Sequence, residues 1–368
     1  MFRLTFVLIL LAPGANAQQP VEQILQKAVE LHQQGDIDGA IREYQTYLKE
    51  RPGSLLALSN LGAAFAKTGR FEEAAAEYRQ ALKLGSNPNV SLNLALAYYK
   101  LGRVPEAGKL LAALSRQQPD SRQVLLLLAD CELRMGENRK VVELLMPLDK
   151  AEPNDVAVAY LLGTALIRDN RAPEGQALME RILKNGDSAE ARLLMGTTKL
   201  LAREYAPARD DLARAVELNP QLSDVYSYYG MALLNTGDTP AAAKAFGREL
   251  ETNPNDFNAN LQLGALLKQD QDLSGAAALF ERALRVRPGD PGVLYQMATL
   301  HVAEGKLDNA RLELERILKS SPQFTEAHVS LAAVYYRLKR KADGDREQAL
   351  VKKLTAEIQS KQPGATAQ

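Results

Sequence analysis

Few side chains in this sequence are equipped to make or break bonds. Its one cysteine is Cys131, and of its three histidines His32 lies far along the chain from His301 and His328. A lone thiol can neither close an internal disulfide nor supply a structural zinc or iron–sulfur site. No histidine neighbours Cys131 in sequence to lower its pKa, so a thiolate nucleophile is not indicated. The sequence holds no Gly-rich loop ending in Lys-Ser or Lys-Thr, no HExxH and no G-x-S-x-G. Carboxylates are abundant, but abundance without spacing does not define an acid–base pair. The expectation is therefore no catalytic centre, no metal and no cofactor, with an unrecognised carboxylate site as the one catalytic alternative. Basic and acidic side chains balance at 45 each. That balance removes the basic excess that nucleic acids and anionic membranes require.

The elements that must position any site repeat with a period of 33 or 34 residues. Small residues recur at Ala28, Gly62, Ala95, Ala129, Gly163, Gly196, Gly230, Gly264, Ala298 and Ala332. Seven residues after six of them comes a glycine: Gly35, Gly69, Gly102, Gly136, Gly237 and Gly305. Twelve after most of them sits a second small residue, such as Ala40, Ala74 or Ala276, and a large apolar one follows at Tyr44, Tyr78, Phe246 and Phe280. Proline closes most units, as at Pro52, Pro119, Pro220 and Pro288. Each unit therefore predicts two helices: helix A, ended by a residue in the left-handed conformation, and helix B, stopped by the proline. The 3.6-residue apolar period of helix B is clear in Phe71, Ala74, Ala75, Tyr78, Ala81 and Leu82. One such hairpin cannot bury its own apolar face, whereas a stack of them can.

The pattern resembles the tetratricopeptide repeat family. It predicts an all-α, right-handed superhelical solenoid of ten units beginning near residues 21, 55, 88, 122, 156, 189, 223, 257, 291 and 325. The array is expected to fill residues 18–361 and to be elongated, with a flexible tail at 362–368. The fifth unit departs most, with Asn170 for the turn glycine. The tenth reads as carrying an insertion at Lys339 to Gly344 and a polar, capping last helix. Within the repeat, Cys131 shares its column with Ala64, Ala97, Ala165 and Ala232, which predicts a small hydrophobe packed between helices.

What the resemblance implies about binding concerns the inner face lined by the A helices. Carried onto this sequence, the thirteenth positions of units two to five read Lys67, Lys100, Arg134 and Arg168, a cationic row. The sixth positions of units two and three read Asn60 and Asn93, similar to the asparagine ladders of peptide-threading members. Leu96 and Tyr99 stand beside the row, and Tyr160, Tyr228 and Tyr295 mark a more aromatic second half. The fifth positions hold no lysine, unlike members that clamp chaperone tails.

Residues 1–17, MFRLTFVLILLAPGANA, read as a secretory signal peptide: Arg3, an apolar stretch, a Pro-Gly break and a small-x-small cleavage site. The expectation is an exported protein, in the periplasm or otherwise outside the cell, whose mature chain does not span a membrane. Its partner is expected to be a protein or peptide, acidic or extended, held while a cell-envelope complex assembles. An accessory role in polysaccharide export or modification is the alternative.

Overall fold

A computed structural model describes residues 20–184 and 186–360. The segment read as a signal peptide and the tail at 362–368 lie outside these. The described residues form twenty α-helices and no β-sheet. The A helices are α1 (Pro20–Gln34), α3 (Leu55–Lys67), α5 (Pro88–Lys100), α7 (Arg122–Met135), α9 (Val156–Arg168), α11 (Ala189–Leu201), α13 (Val225–Asn235), α15 (Phe257–Gln269), α17 (Pro291–Ala303) and α19 (Thr325–Arg337). The B helices are α2 (Ile37–Glu50), α4 (Phe71–Leu84), α6 (Val104–Gln117), α8 (Asn138–Ala151), α10 (Ala172–Leu183), α12 (Tyr205–Leu218), α14 (Thr239–Thr252), α16 (Leu273–Val286), α18 (Leu307–Ser320) and α20 (Lys341–Ser360). Among these no helix is long and apolar enough to cross a membrane.

Local chemistry explains the boundaries. Ser54, Asn87, Asp155, Ser188, Asp256 and Asp290 cap A helices by accepting backbone N–H groups of the first turn, and Asp36, Asp238 and Asp272 do so for B helices. All ten A–B turns pass through a residue of positive φ. Six are the expected glycines; the other four are Asn170, Arg203, Gln271 and Lys339, with φ between 61° and 66°. The turn at Gly69 shows why the conformation is needed. It brings the Arg70 N–H to the Phe65 carbonyl at 2.9 Å and the Gly69 N–H to the Ala66 carbonyl at 3.1 Å, satisfying carbonyls at the helix end. Between the helices of a unit the small residue admits a large ring. A Cβ on Gly62 would stand 2.7 Å from the Tyr78 ring, and one on Gly264 would stand 2.7 Å from that of Phe280.

One expectation is corrected here. The tenth unit carries no insertion. Lys339 takes the turn position and α20 starts at Lys341. Gly344 then occupies the small-residue position of helix B against the Tyr336 ring. Contacts also run beyond neighbouring units. Units three and four meet unit eight and the loop that leads into it across the superhelix: the Asn255 side chain donates to the Lys100 carbonyl at 3.0 Å, and Arg287 Nε donates to the Arg134 carbonyl at 2.6 Å. Helices α6 and α16 touch, and one apolar core runs from Leu92, Leu96 and Cys131 to Phe257, Phe280 and Val286. The solenoid is a coil closed on itself between units three and eight.

Candidate functional site

The closed turn surrounds a polar recess. It is lined by Asp130, Leu133, Arg134, Tyr160, Leu161, Thr164, Arg168, Ser223, Asp224, Asp256, Phe257, Asn258 and Arg287, and holds about 490 Å³ of atom-free space, part of it open to solvent. Four units supply these side chains, mostly from the ends of their A helices and the loops before them.

Its charges are largely spoken for by one another. Arg134 Nε donates to Asp130 at 2.9 Å, a terminal nitrogen donates to Ser223 Oγ at 3.1 Å, and the guanidinium lies over the Tyr99 ring at 5.2 Å. The Tyr99 hydroxyl donates to the same Asp130 carboxylate at 2.5 Å. Arg168 donates to the Tyr228 hydroxyl, lies over that ring at 5.6 Å and stands 4.0 Å from the Asp224 carboxylate. Burial holds the phenols of Tyr99, Tyr160 and Tyr228 well into their neutral form. Arginine suits such places because its guanidinium is always charged, forks and stacks.

Behind the arginines lies an acidic trio. Asp224, Glu249 and Asp256 bring carboxylate oxygens within 4.8 Å of one another. Glu249 accepts the Asp224 N–H at 3.0 Å, and Asp256 accepts from the Ser227 hydroxyl at 2.8 Å and the Ala259 N–H at 2.6 Å. Glu249 and Asp256 are buried, and burial together with carboxylate repulsion raises both pKa values well above the usual range. Glu249 and Asp256 are therefore biased toward their protonated forms. The spacing of the trio's oxygens would suit a cation, but protonated carboxyls beside guanidiniums are a poor invitation to one. Among the described residues Asp224 is also the one with positive φ outside the glycines and the A–B turns, at φ 67°. Strained backbone of this sort persists where surrounding contacts over-determine it.

The residues expected to line a groove fall into three groups. Lys67 and Lys100 are exposed at the ends of their A helices, and neither carries a side-chain hydrogen bond or ion pair. Tyr99, Arg134, Tyr160, Arg168 and Tyr228 converge on the closed turn, where all but Tyr160 are engaged with one another or with Asp130 and Asp224. Asn60, Asn93 and Leu96 are fully buried and offer no surface to a ligand in this conformation. Asn60 sits beside the Tyr44 hydroxyl of the first unit. Tyr295 stands apart in unit nine, its hydroxyl 3.0 Å from Ser330 Oγ. Cys131 is fully buried and its thiol pKa is pushed well up by burial, so it packs and does not react.

Arg287, Asp224, Asp256 and Glu249 have no place in the groove positions of the repeat. Arg287 lies 153 residues from its contact at Arg134, and only the closure of the coil brings them together. The capping position of Asp256 before α15 is readable from sequence; its burial among charges is not.

Comparisons with known proteins agree with this architecture. Two family models described as tetratricopeptide repeat match the chain, one at residues 69–131 and 267–334, the other at 25–89 and 230–291. A chain in the crystal structure of the APC/C hetero-tetramer Cut9-Hcn1 is similar in fold, with a TM-score of 0.56 at 11% identity, over 93% of this chain and 88% of that one. A monomeric mutant of IFIT1 with Gppp-AAAA gives a TM-score of 0.48 at 13% identity over 92% of this chain and 91% of that one. A human IFIT1 dimer with PPP-AAAA gives 0.48 at 14% identity, over 89% of each chain. No curated protein sequence matches at a significant level.

Proposed function

Since this chain is a member of the tetratricopeptide repeat family, we propose that it is an exported scaffold that binds a partner protein and helps a cell-envelope complex to assemble. The partner presents an extended or helical acidic segment to the A-helix face of the first units. One observation carries this reading. Lys67 and Lys100 stand exposed at one-repeat spacing in the same register of the A helices, and neither has a protein partner. Unpaired surface lysines steer an acidic partner and are screened by salt. Arg134 and Arg168 belong to the closed turn, so they act on the partner through their field and not by contact.

The test is Lys67→Glu combined with Lys100→Glu. The pair should lose capture of the partner from a native envelope fraction while the helical circular dichroism stays unchanged. Undiminished capture at low salt would move the binding surface elsewhere, to the aromatic surroundings of Tyr295 first. Export rests on the apolar stretch and the Ala-Asn-Ala motif before Gln18. Terminal sequencing of the protein from its native host should begin at Gln18.

A further inference from the structure

The recess inside the closed turn leaves one guanidinium without a carboxylate partner. Three guanidiniums line it, and so do three carboxyls. Asp130 is committed to Arg134 and Tyr99, and Asp224 to the neighbourhood of Arg168. Asp256 is crowded by Glu249 and Asp224 and is engaged by the Ser227 hydroxyl and the Ala259 N–H. Arg287 is left over. Among the described residues no carboxylate lies within 4.0 Å of it. It is nevertheless held firmly: Nε is fixed on the Arg134 carbonyl at 2.6 Å and the guanidinium lies over the Phe257 ring at 3.8 Å. Both terminal nitrogens remain without a protein partner at the wall of the recess. Surface arginines without partners are ordinary, but an arginine oriented by a backbone bond and a ring, with its fork left free, is a preorganised anion seat.

We propose that this recess binds one small organic monocarboxylate, gripped by the free fork of Arg287 with Arg168 alongside, as a ligand that ties units four, five, seven and eight together. Three features select the class. The fork of a guanidinium matches the two coplanar oxygens of a carboxylate. A single negative charge answers the one unpaired guanidinium, whereas a dianion would meet the carboxylates of Asp130 and Asp224 on the far side. Tyr160, Leu161, Leu133 and Phe257 supply an apolar wall for the body of the ligand. The Arg287–Arg134 contact closes the turn on one side, so the space suits a molecule of few heavy atoms and not a threaded chain. This seat is separate from the lysine-lined surface of the previous section and stands or falls independently of it.

The probe is acetate, added to the full chain at constant ionic strength with chloride as the balancing salt. Line broadening of ¹³C-acetate reports binding directly, and a saturating rise of Tm reports its linkage to folding. Acetate should act on both, acetamide on neither, and sulfate more weakly than acetate. Arg287→Lys keeps a charge but loses the fork, and should weaken acetate about tenfold. Asn255→Ala loosens the same closure without touching the seat, so it separates loss of the ligand from loss of the turn and should keep the acetate response. Equal effects of acetate and chloride would overturn the proposal, as would full acetate affinity in Arg287→Lys. Displacement of acetate by an acidic peptide would also overturn it, and would make the recess part of the protein-binding surface.

Discussion

His32 should make the first unit fail in mild acid. It is 6% exposed, edge-on to Tyr44 at 6.0 Å, and its Nδ1 has no hydrogen-bond partner. Burial, with a smaller contribution from the charge of Lys67, pushes its pKa from 6.5 down to about 4. The folded state therefore refuses a proton that the unfolded state accepts. Stability is full above pH 6.5 and drains as pH falls towards 4. Taking those two values, the loss between pH 7.5 and pH 4.5 is about 2.5 kcal/mol, a large part of the margin of a terminal repeat. The perturbation is His32→Leu, which keeps an apolar body of similar size and removes the titration. Other groups titrate in this window, so the quantity to measure is the difference between wild type and variant in urea unfolding at the two pH values. Amide exchange across α1 and α2 would localise it, since a repeat array does not unfold as one unit. NMR titration of the His32 ring gives the pKa directly. A pKa near 6.5, or identical acid sensitivity in both proteins, would refute the reasoning.

Three further outcomes are expected. Gly102→Ala should cost more than Gly69→Ala: both force alanine into positive φ at about 1–2 kcal/mol, but a Cβ on Gly102 also meets Asn255 Oδ1 at 2.4 Å, and adding Asn255→Ala should narrow the gap in thermal melts. Glu249→Gln should reduce the loss of stability as pH rises above the ordinary carboxylate range, because Glu249 and Asp256 bind protons more tightly folded than unfolded; parallel denaturation curves at pH 6 and pH 9 would read it. Cys131→Ala should cost about 1 kcal/mol, and the wild-type thiol should react with a disulfide reagent only as fast as the fold opens.

The period made the architecture legible because each repeat writes its own turn, small-residue contact and helix stop within a few dozen residues. Even the four units without a turn glycine obey it, since Asn170, Arg203, Gln271 and Lys339 accept the same φ. Gly344 was misleading for a local reason: beside a run of Lys and Arg it reads as a turn signal, although its distance from Ala332 assigns it to the A–B contact. The candidate site was legible only in part. The column from Lys67 to Arg168 is a true register, yet its members divide between open surface and buried recess. What divides them is the tightness of the coil, set by many small packing angles and written in no motif. Arg287, which completes the recess, belongs to no groove position at all.

The contact between Arg134 and Arg287 also sets an order of events in the life of the chain. Stacking one hairpin on the next needs only local closure, which is entropically cheap and fast. Joining residues 153 positions apart must wait until every intervening unit is in place. During synthesis, therefore, the first five units exist for a time with Arg134 and Arg168 at their inner edge facing water. The recess comes into being only when the eighth unit has been made and docks. From that moment the units between three and eight should open and close together as one block, while units one, two, nine and ten keep the independence of ordinary neighbours.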